Sequence, residues 1–147
     1  MKISIASDHA GFEQKQALAQ YLREKGYSVI DRGPKNDKRV DYPDYAIKVT
    51  RDIQDGTADK GVLVCGTGIG MAITANRFKG IRAANVISEE FAILAREHND
   101  ANIICLSGRF VTEDSNKSIL DAFFITPFGE GRHADRIAKI ESVTDQK

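Results

Sequence analysis

A short glycine-rich segment contains the side chains best suited to proton transfer. Over residues 65–70 it reads CGTGIG, directly after the apolar run KGVLVC that ends at Cys65. Glycines expose backbone N–H groups, and the first turn of a following helix adds the positive end of its dipole. The segment therefore predicts an N–H cradle that holds a phosphate or a developing oxyanion and favours the thiolate of Cys65.

Two familiar nucleotide-binding motifs do not fit this segment. The dinucleotide fingerprint G-x-G-x-x-G needs glycine where this chain has Met71, and it normally follows the first strand. A Walker A loop needs a Gly-Lys-Ser/Thr sequence, which is not present here. The alternatives for single residues stay open: Cys65 as a small buried side chain, and Thr67 as a helix cap instead of a proton donor. Cys105, inside the run IICL, is expected in the sheet core.

Histidines and arginines near the ends of predicted elements extend the set of candidates. Arg132 and Arg136 are four residues apart and share one helix face, so they predict either a phosphate clamp or a solvated charged face. No pair of histidines has the spacing of a known metal motif, so no metal site is predicted. Thiol, N–H cradle, histidines and arginines together indicate proton transfer beside a bound anion. The other candidates in this set are Asp8, His9, His98 and His133.

The elements that must position these groups follow from hydrophobic periodicity. Short apolar runs alternate with stretches of helical spacing, which predicts a Rossmann-like three-layer α/β/α sandwich around a parallel sheet. Ligands in such folds bind beyond the carboxyl ends of the strands, so the loops after the first, third and fifth strands should converge on one crevice. A C-terminal helix over about 132–143 has no strand after it and is expected to pack on a partner subunit. The predicted strands are 2–6, 27–31, 60–65, 82–86 and 102–106.

Composition narrows the function further. The 147 residues, 41% of them hydrophobic, predict one domain over 1–147 with a single core. The 21 basic and 21 acidic side chains cancel, so no overall field favours a nucleic acid or an anionic membrane. No signal peptide, membrane span or disulfide framework is predicted, and a cytoplasmic location is expected, where free thiols persist.

Six collinear segments resemble the ribose-5-phosphate isomerase B family, which also includes allose-6-phosphate and galactose-6-phosphate isomerases. They are SDHAGFEQK at 7–15, VDYPDYA at 40–46, VCGTGIGMAITANRFKGIRAA at 64–84, EHNDANI at 97–103, Arg109, and GRHADRI at 131–137. The resemblance implies a metal-free, cofactor-free isomerase that interconverts D-ribose 5-phosphate and D-ribulose 5-phosphate through a cis-enediolate. It also implies a homodimer, or a dimer of dimers, whose active sites borrow residues across the interface.

The resemblance implies roles for individual residues. Cys65 resembles the base that moves a proton between C1 and C2, and Thr67 the group that handles protons on the oxygens. His98, with Asp8, resembles the residue that opens the furanose ring. Met71 replaces the glutamate that one subgroup uses as its base, so the chain resembles the cysteine type. Backbone N–H groups of Gly66, Gly68, Ile69 and Gly70 would stabilise the enediolate, and His9, Tyr42, Asn99, Arg109, Arg132 and Arg136 resemble phosphate- or substrate-binding positions.

Two departures from the family pattern bear on substrate choice. The fifth strand ends Ser107-Gly108-Arg109, where glycine usually comes one position earlier, and residues 128–131 read FGEG in place of a paired glycine. Either change can shift an arginine of the expected phosphate site. The alternatives are therefore a hexose-6-phosphate isomerase, including the two-subunit galactose 6-phosphate type, or a phosphate- or nucleotide-binding module without turnover.

Overall fold

A parallel sheet of five strands with helices on both faces forms the body of the protein, seen in a computed structural model that describes residues 1–146. This confirms the predicted α/β architecture, including the C-terminal helix. The strands are β1 (Lys2–Ser7), β2 (Ser28–Asp31), β3 (Lys60–Cys65), β4 (Ala83–Asn85) and β5 (Ile103–Ser107). The helices are α1 (Phe12–Glu24), α2 (Tyr42–Gln54), α3 (Ile69–Ala75), α4 (Glu89–Glu97), α5 (Glu113–Ile125) and α6 (Arg132–Ser142), followed by a 3₁₀ turn (Val143–Gln146).

The order of the strands explains why three loops can share one crevice. The sheet runs β2-β1-β3-β5-β4, so β1, β3 and β5 are neighbours and their carboxyl ends lie side by side. Backbone hydrogen bonds tie the loops together: the Asp8 N–H donates to the Val64 carbonyl at 3.2 Å, and the Gly108 N–H to the Cys65 carbonyl at 2.8 Å. The predicted convergence of these loops is confirmed.

Two apolar layers hold the helices to the sheet. On one face, Leu18 and Leu22 of α1 and Phe123 of α5 pack with strand residues such as Ile5 and Ile104, and α4 joins this layer. On the other face, α2 and α3 pack against the side that contains Leu63, Cys65 and Cys105. The three central strands, β1, β3 and β5, are buried on both faces, which explains why they appear in the sequence as nearly continuous apolar runs. Within residues 1–146, no helix is long and apolar enough to cross a membrane.

Helix α6 lies against this body without entering its core. None of its residues is buried, although Ile137, Ile140 and the following Val143 are spaced as one apolar face. Ion pairs from Arg82 to Glu141 and from Lys79 to Asp145 connect the α6 region to the loop before β4. An apolar face left half-exposed in one chain is what a partner subunit would cover, so the expected packing on a partner stays a prediction.

Candidate active site

Cys65 occupies the end of β3, at the floor of the crevice. Its side chain is 5% exposed, and its sulfur accepts a hydrogen bond from the Gly68 N–H at 3.0 Å. The N–H of Ile69 donates to the Thr67 hydroxyl oxygen at 3.1 Å, so Thr67 stabilises the turn into α3 with a side chain that is itself exposed.

The N–H cradle, residues 66–71, keeps several donors available at the start of α3. Among residues 1–146, no acceptor lies in hydrogen-bonding position for the N–H groups of Thr67, Gly70 and Met71. Because these donors precede or open a helix, the helix dipole adds to their attraction for an anion. An oxygen that becomes negative during a reaction at Cys65 would find donors that need no reorganisation.

The glycines of the cradle are required by close contacts. Gly68 has a φ of +84°, and a Cβ there would lie 2.4 Å from Asn85 Nδ2 and 3.0 Å from the Leu106 carbonyl oxygen. A Cβ on Gly70 would lie 2.7 Å from the ring of Tyr42, which therefore packs directly on the start of α3. A Cβ on Gly66 would lie 3.2 Å from an Nη of Arg109. The cradle thus brings Tyr42 and Arg109 close to Cys65.

The loop after β1 supplies Asp8 and His9. The Asp8 carboxylate is almost buried and accepts a hydrogen bond from the Gly11 N–H at 3.0 Å, which shapes the turn. His9 Nδ1 lies 3.3 Å from the N atom and 3.2 Å from the carbonyl oxygen of Val40, so either tautomer finds a partner there. Val40 therefore orients the ring, and no residue of 1–146 hydrogen-bonds to its Nε2.

Sequence reasoning assigned no role to three amides that hold these loops. Gln14 donates to the carbonyl oxygens of Gly108 and Val111, and Asn116 donates to Gln14 and to the Ser107 carbonyl. Asn85 donates to the carbonyl oxygens of Thr67 and Cys105. The only advance signal was the presence of Gln14 inside the segment SDHAGFEQK, because side-chain bonds to loop carbonyls have no sequence periodicity.

A second group of predicted residues lies around the end of α4. His98 caps that helix and stacks on His133, with ring centroids 4.4 Å apart and an angle of 15° between the planes. The Gly129 N–H donates to the Glu97 carbonyl, which sets the first turn of α6 beside His98. Arg132 and Arg136 on that helix are exposed, and so is Asn99. The side chain of His133 is partly covered, and this desolvation, followed by the charges of His98 and the two arginines, lowers its pKa.

Within one chain the two groups lie at opposite edges of the sheet: the carboxyl edge, where the strands end, and the amino edge, where they begin. Cys65 pairs with Ser107 at the carboxyl end of β5, whereas His98 and Asn99 come before its amino end. The four residue steps of β5 alone span about 13 Å. The structure therefore brings Cys65, Thr67, Asp8, His9, Tyr42 and Arg109 together, but it does not bring His98, Asn99, Arg132 or Arg136 to them within the chain, and His98 is not beside Asp8.

No metal site was predicted from the sequence, and the absence of a metal stays a prediction. Within residues 1–146, no three His, Cys, Asp or Glu side chains are grouped so that they could hold a metal ion. Cys105 is fully buried, and this burial, with the neighbouring Cys65, raises the pKa of its thiol. Only Cys65 therefore combines a thiol with access to the crevice.

Comparison with known proteins places this geometry in a family. The family model for ribose/galactose isomerases matches residues 3–140. The chain is 40% identical over 147 residues to the ribose-5-phosphate isomerase B of Escherichia coli K12, covering 99% of this chain and 98% of that protein.

Solved structures agree over the whole fold. The ribose-5-phosphate isomerase B of Clostridium thermocellum superposes with a TM-score of 0.98 at 43% identity, covering 99% of both chains. The enzyme of Mycoplasma genitalium with bound ribulose-5-phosphate superposes with a TM-score of 0.95 at 43% identity, covering 99% of this chain and 97% of that one. On the extent of the family match and on these identities, this chain belongs to the ribose/galactose isomerase family.

Proposed function

We propose that this chain interconverts D-ribose 5-phosphate and D-ribulose 5-phosphate through a cis-enediolate, without a metal ion. The observation that carries the proposal is Cys65 beside an N–H cradle with free donors. Related proteins support the proposal: several are named ribose-5-phosphate isomerase B, and one was solved with ribulose-5-phosphate bound. A thiol free of disulfides fits a cytosolic location.

Isomerisation needs one base and one oxyanion site, and a single loop supplies both. Cys65 as thiolate takes the proton from C2 of the open-chain aldose and returns it to C1. The proton on the oxygens passes through Thr67. The charge that develops on the enediolate is met by the N–H groups of Thr67, Gly70 and Met71, which have no acceptor among residues 1–146. The N–H groups of Gly68 and Ile69, also expected in this role, donate to Cys65 Sγ and to the Thr67 hydroxyl oxygen.

A phosphate site holds the reacting carbons beside the thiol. Arg109 lies against Gly66 of the cradle and Tyr42 packs on Gly70 at its rim, while His9 lies beside Val40, two residues before Tyr42. Fixing the phosphate orients C1 and C2 without taking part in the chemistry, which is a known source of rate enhancement. In this proposal, two or more cationic groups are needed, because a sugar phosphate monoester carries up to two negative charges.

The remaining groups come from a second copy of the chain. His98, Asn99, Arg132 and Arg136 lie at the far edge of the sheet from Cys65, so in the proposed homodimer they complete the partner's site. There His98, facing the Asp8 of the other chain, opens the furanose ring, Asn99 binds the sugar, and the two arginines hold the phosphate. The apolar face of α6 supports such a contact.

The deciding experiment is an isomerase assay on the purified chain with matched cysteine variants. We expect ketose formation from ribose 5-phosphate that survives EDTA, and a fall in kcat of about 10²–10⁴-fold in Cys65→Ala, the range expected for loss of a general base. Cys105→Ala is the control, because it removes the thiol that lies in the core. Allose 6-phosphate, run in parallel, measures pentose against hexose preference.

Three results would contradict the proposal. Full activity in Cys65→Ser would remove the thiol from the base position, and loss of turnover with EDTA would require a metal. Turnover of neither sugar phosphate, in a folded chain, would leave only binding without catalysis.

A further inference from the structure

A concave surface that is separate from the candidate catalytic side chains has a largely basic lining. It is formed by α1, the segment 32–41 after β2, and α2, and encloses about 1150 Å³. None of the candidate catalytic side chains lines it. We name it the basic cleft, after its cationic residues Lys15, Arg32, Lys35, Lys38, Lys48 and Arg51.

Two of these cations are neutralised by the two carboxylates of the cleft. Lys15 pairs with Asp31 at 3.0 Å, and Arg32 makes a two-pronged contact with Asp52 at 2.7 and 2.8 Å. Lys15 is 1% exposed and also donates to the Pro34 carbonyl at 3.0 Å. These bonds fix the floor of the cleft before any ligand arrives, which lowers the ordering cost of binding.

The other four cations of the cleft form no ion pair with a carboxylate of residues 1–146. No carboxylate of residues 1–146 lies within 4 Å of Lys35, Lys38, Lys48 or Arg51. All four are exposed along the rim, and the Lys48 ammonium lies over the Tyr45 ring, 4.5 Å from its centroid. The lining of the cleft has six cationic and two anionic side chains, and a bound anion would relieve the mutual repulsion of the cations.

We infer that the basic cleft binds a small anion with two or more phosphate groups. One phosphate would reach only part of a rim of four cations, whereas a di- or triphosphate can contact several of them at once. Nucleoside di- and triphosphates and inorganic polyphosphate share this chemistry. The ligand is distinct from the sugar phosphate of the active site, which has a single phosphate.

The cleft is connected to the active site by the segment that forms its wall. Val40, at the end of that segment, meets the His9 ring, and the next helix begins with Tyr42 on Gly70. The Gly33 carbonyl accepts from the Ser7 N–H at 3.0 Å, next to Asp8. A polyphosphate that restrains segment 32–41 should therefore hold His9 and Tyr42 in place and lower the KM for the sugar phosphate, a consequence that rests on the proposed function.

Calorimetric titration tests the site without relying on activity. The probes are ATP, ADP, inorganic tripolyphosphate and inorganic phosphate, at low and at moderate salt. The test variant Lys38→Gln/Arg51→Gln removes two rim charges, and the control Lys2→Gln/Arg23→Gln removes two exposed charges elsewhere. We expect tripolyphosphate and ATP to bind more tightly than phosphate, and the test variant to weaken them by about tenfold. The control variant should leave binding unchanged, as should Arg109→Gln, which alters the phosphate site of the active site.

The outcomes separate the sources of binding. Tighter binding of ATP than of tripolyphosphate would identify a nucleotide, and equal binding would identify a general polyphosphate site. Equal loss in the test and control variants, loss in Arg109→Gln instead, or no binding at all would overturn the inference. So would a single-stranded oligonucleotide that binds more tightly than every small polyphosphate. If polyphosphate binds as expected but does not change the KM at saturation, the binding site is confirmed and its coupling to the isomerase is refuted.

Discussion

Cys65 and Cys105 lie on neighbouring strands, but only Cys65 is at the end of its strand. Cys105 sits mid-strand under α3, where burial raises the pKa of its thiol and keeps it protonated. Cys65 ends its strand, so its sulfur meets the first N–H groups of the following turn. The sequence predicted both positions, because a residue that ends a parallel strand lies at the ligand edge and a mid-strand residue does not.

The stacked pair of His98 and His133 leads to a prediction about pH. Desolvation, His98, Arg132 and Arg136 lower the pKa of His133, and Glu97 opposes them. We expect an NMR titration midpoint for His133 below the ordinary value of about 6.5. In the unfolded chain His133 has the ordinary pKa of about 6.5 and binds a proton at a higher pH than it does in the folded chain. The contribution of His133 to stability therefore falls as the pH drops below about 6.5.

Arg136→Met tests one contribution to this lowered pKa, the positive charge of Arg136. Removing a nearby positive charge should raise the midpoint of His133, whereas Arg23→Met, on α1, should not change it. A His133 midpoint at or above about 6.5 in the parent chain would contradict the lowered pKa. Equal midpoints in Arg136→Met and the parent would show that the charge of Arg136 does not contribute to it.

At the scale of elements, the start of α3 depends on Gly68. This residue combines a left-handed φ of +84° with contacts to Asn85 and the Leu106 carbonyl. Gly80 offers a matched control, because its φ is +78° and nothing lies within 4 Å of its Cβ position. We expect Gly80→Ala to lower the free energy of unfolding by about 1–2 kcal/mol, from the backbone conformation alone.

Gly68→Ala adds a steric cost to the same backbone cost. We expect it to lower the free energy of unfolding by about 3–4 kcal/mol and to abolish turnover, since the cradle must move away from the backbone of β5. Urea unfolding of the two variants, with the isomerase assay beside it, makes the measurement. Equal losses of stability with activity retained in both would mean that the contacts around Gly68 do not hold the cradle.

Hydrophobic periodicity located every strand but missed some ends. The fifth strand was predicted at 102–106 and spans Ile103–Ser107, because the polar Ser107 still pairs its backbone with Cys65. The fourth was predicted at 82–86 and spans Ala83–Asn85, because the Arg82 N–H donates to the Asn102 side chain instead of to a neighbouring strand. Both differences arise from contacts between distant residues, which a local pattern does not contain.

At the scale of the whole molecule, the candidate residues form two half-sites. The carboxyl edge of the sheet holds Cys65 and its neighbours, and the amino edge holds His98 with the first turn of α6. Which residues share an edge follows from the strand order and from the return of α4 across the sheet. The half-site with Cys65 could be predicted from the sequence, because ligands bind beyond the carboxyl ends of parallel strands. The location of the half-site with His98 required the three-dimensional path of the chain.

Complementation between two inactive variants tests whether these half-sites meet across a dimer. Cys65→Ala and His98→Asn should each be inactive alone, since every site lacks one group. In a mixed dimer, the site that joins Cys65 of one chain to His98 of the other is intact, and the second site lacks both. Random assembly of equal amounts by coexpression should therefore restore about a quarter of the wild-type activity, from half of the dimers with one working site each.

Two controls make this result specific. Coexpression of Cys65→Ala with Cys65→Ser should restore nothing, because no combination of these chains contains the thiol. Adding Ile140→Asp to both complementing chains should abolish the recovery and yield monomers in analytical ultracentrifugation, since a charge is placed on the apolar face of α6. Activity that fails to recover in mixed dimers, with each variant folded, would mean that His98 and Cys65 do not share a site. The half-site at the amino edge would then have a separate role, and the ring-opening group would have to be sought among Asp8, His9 and their neighbours.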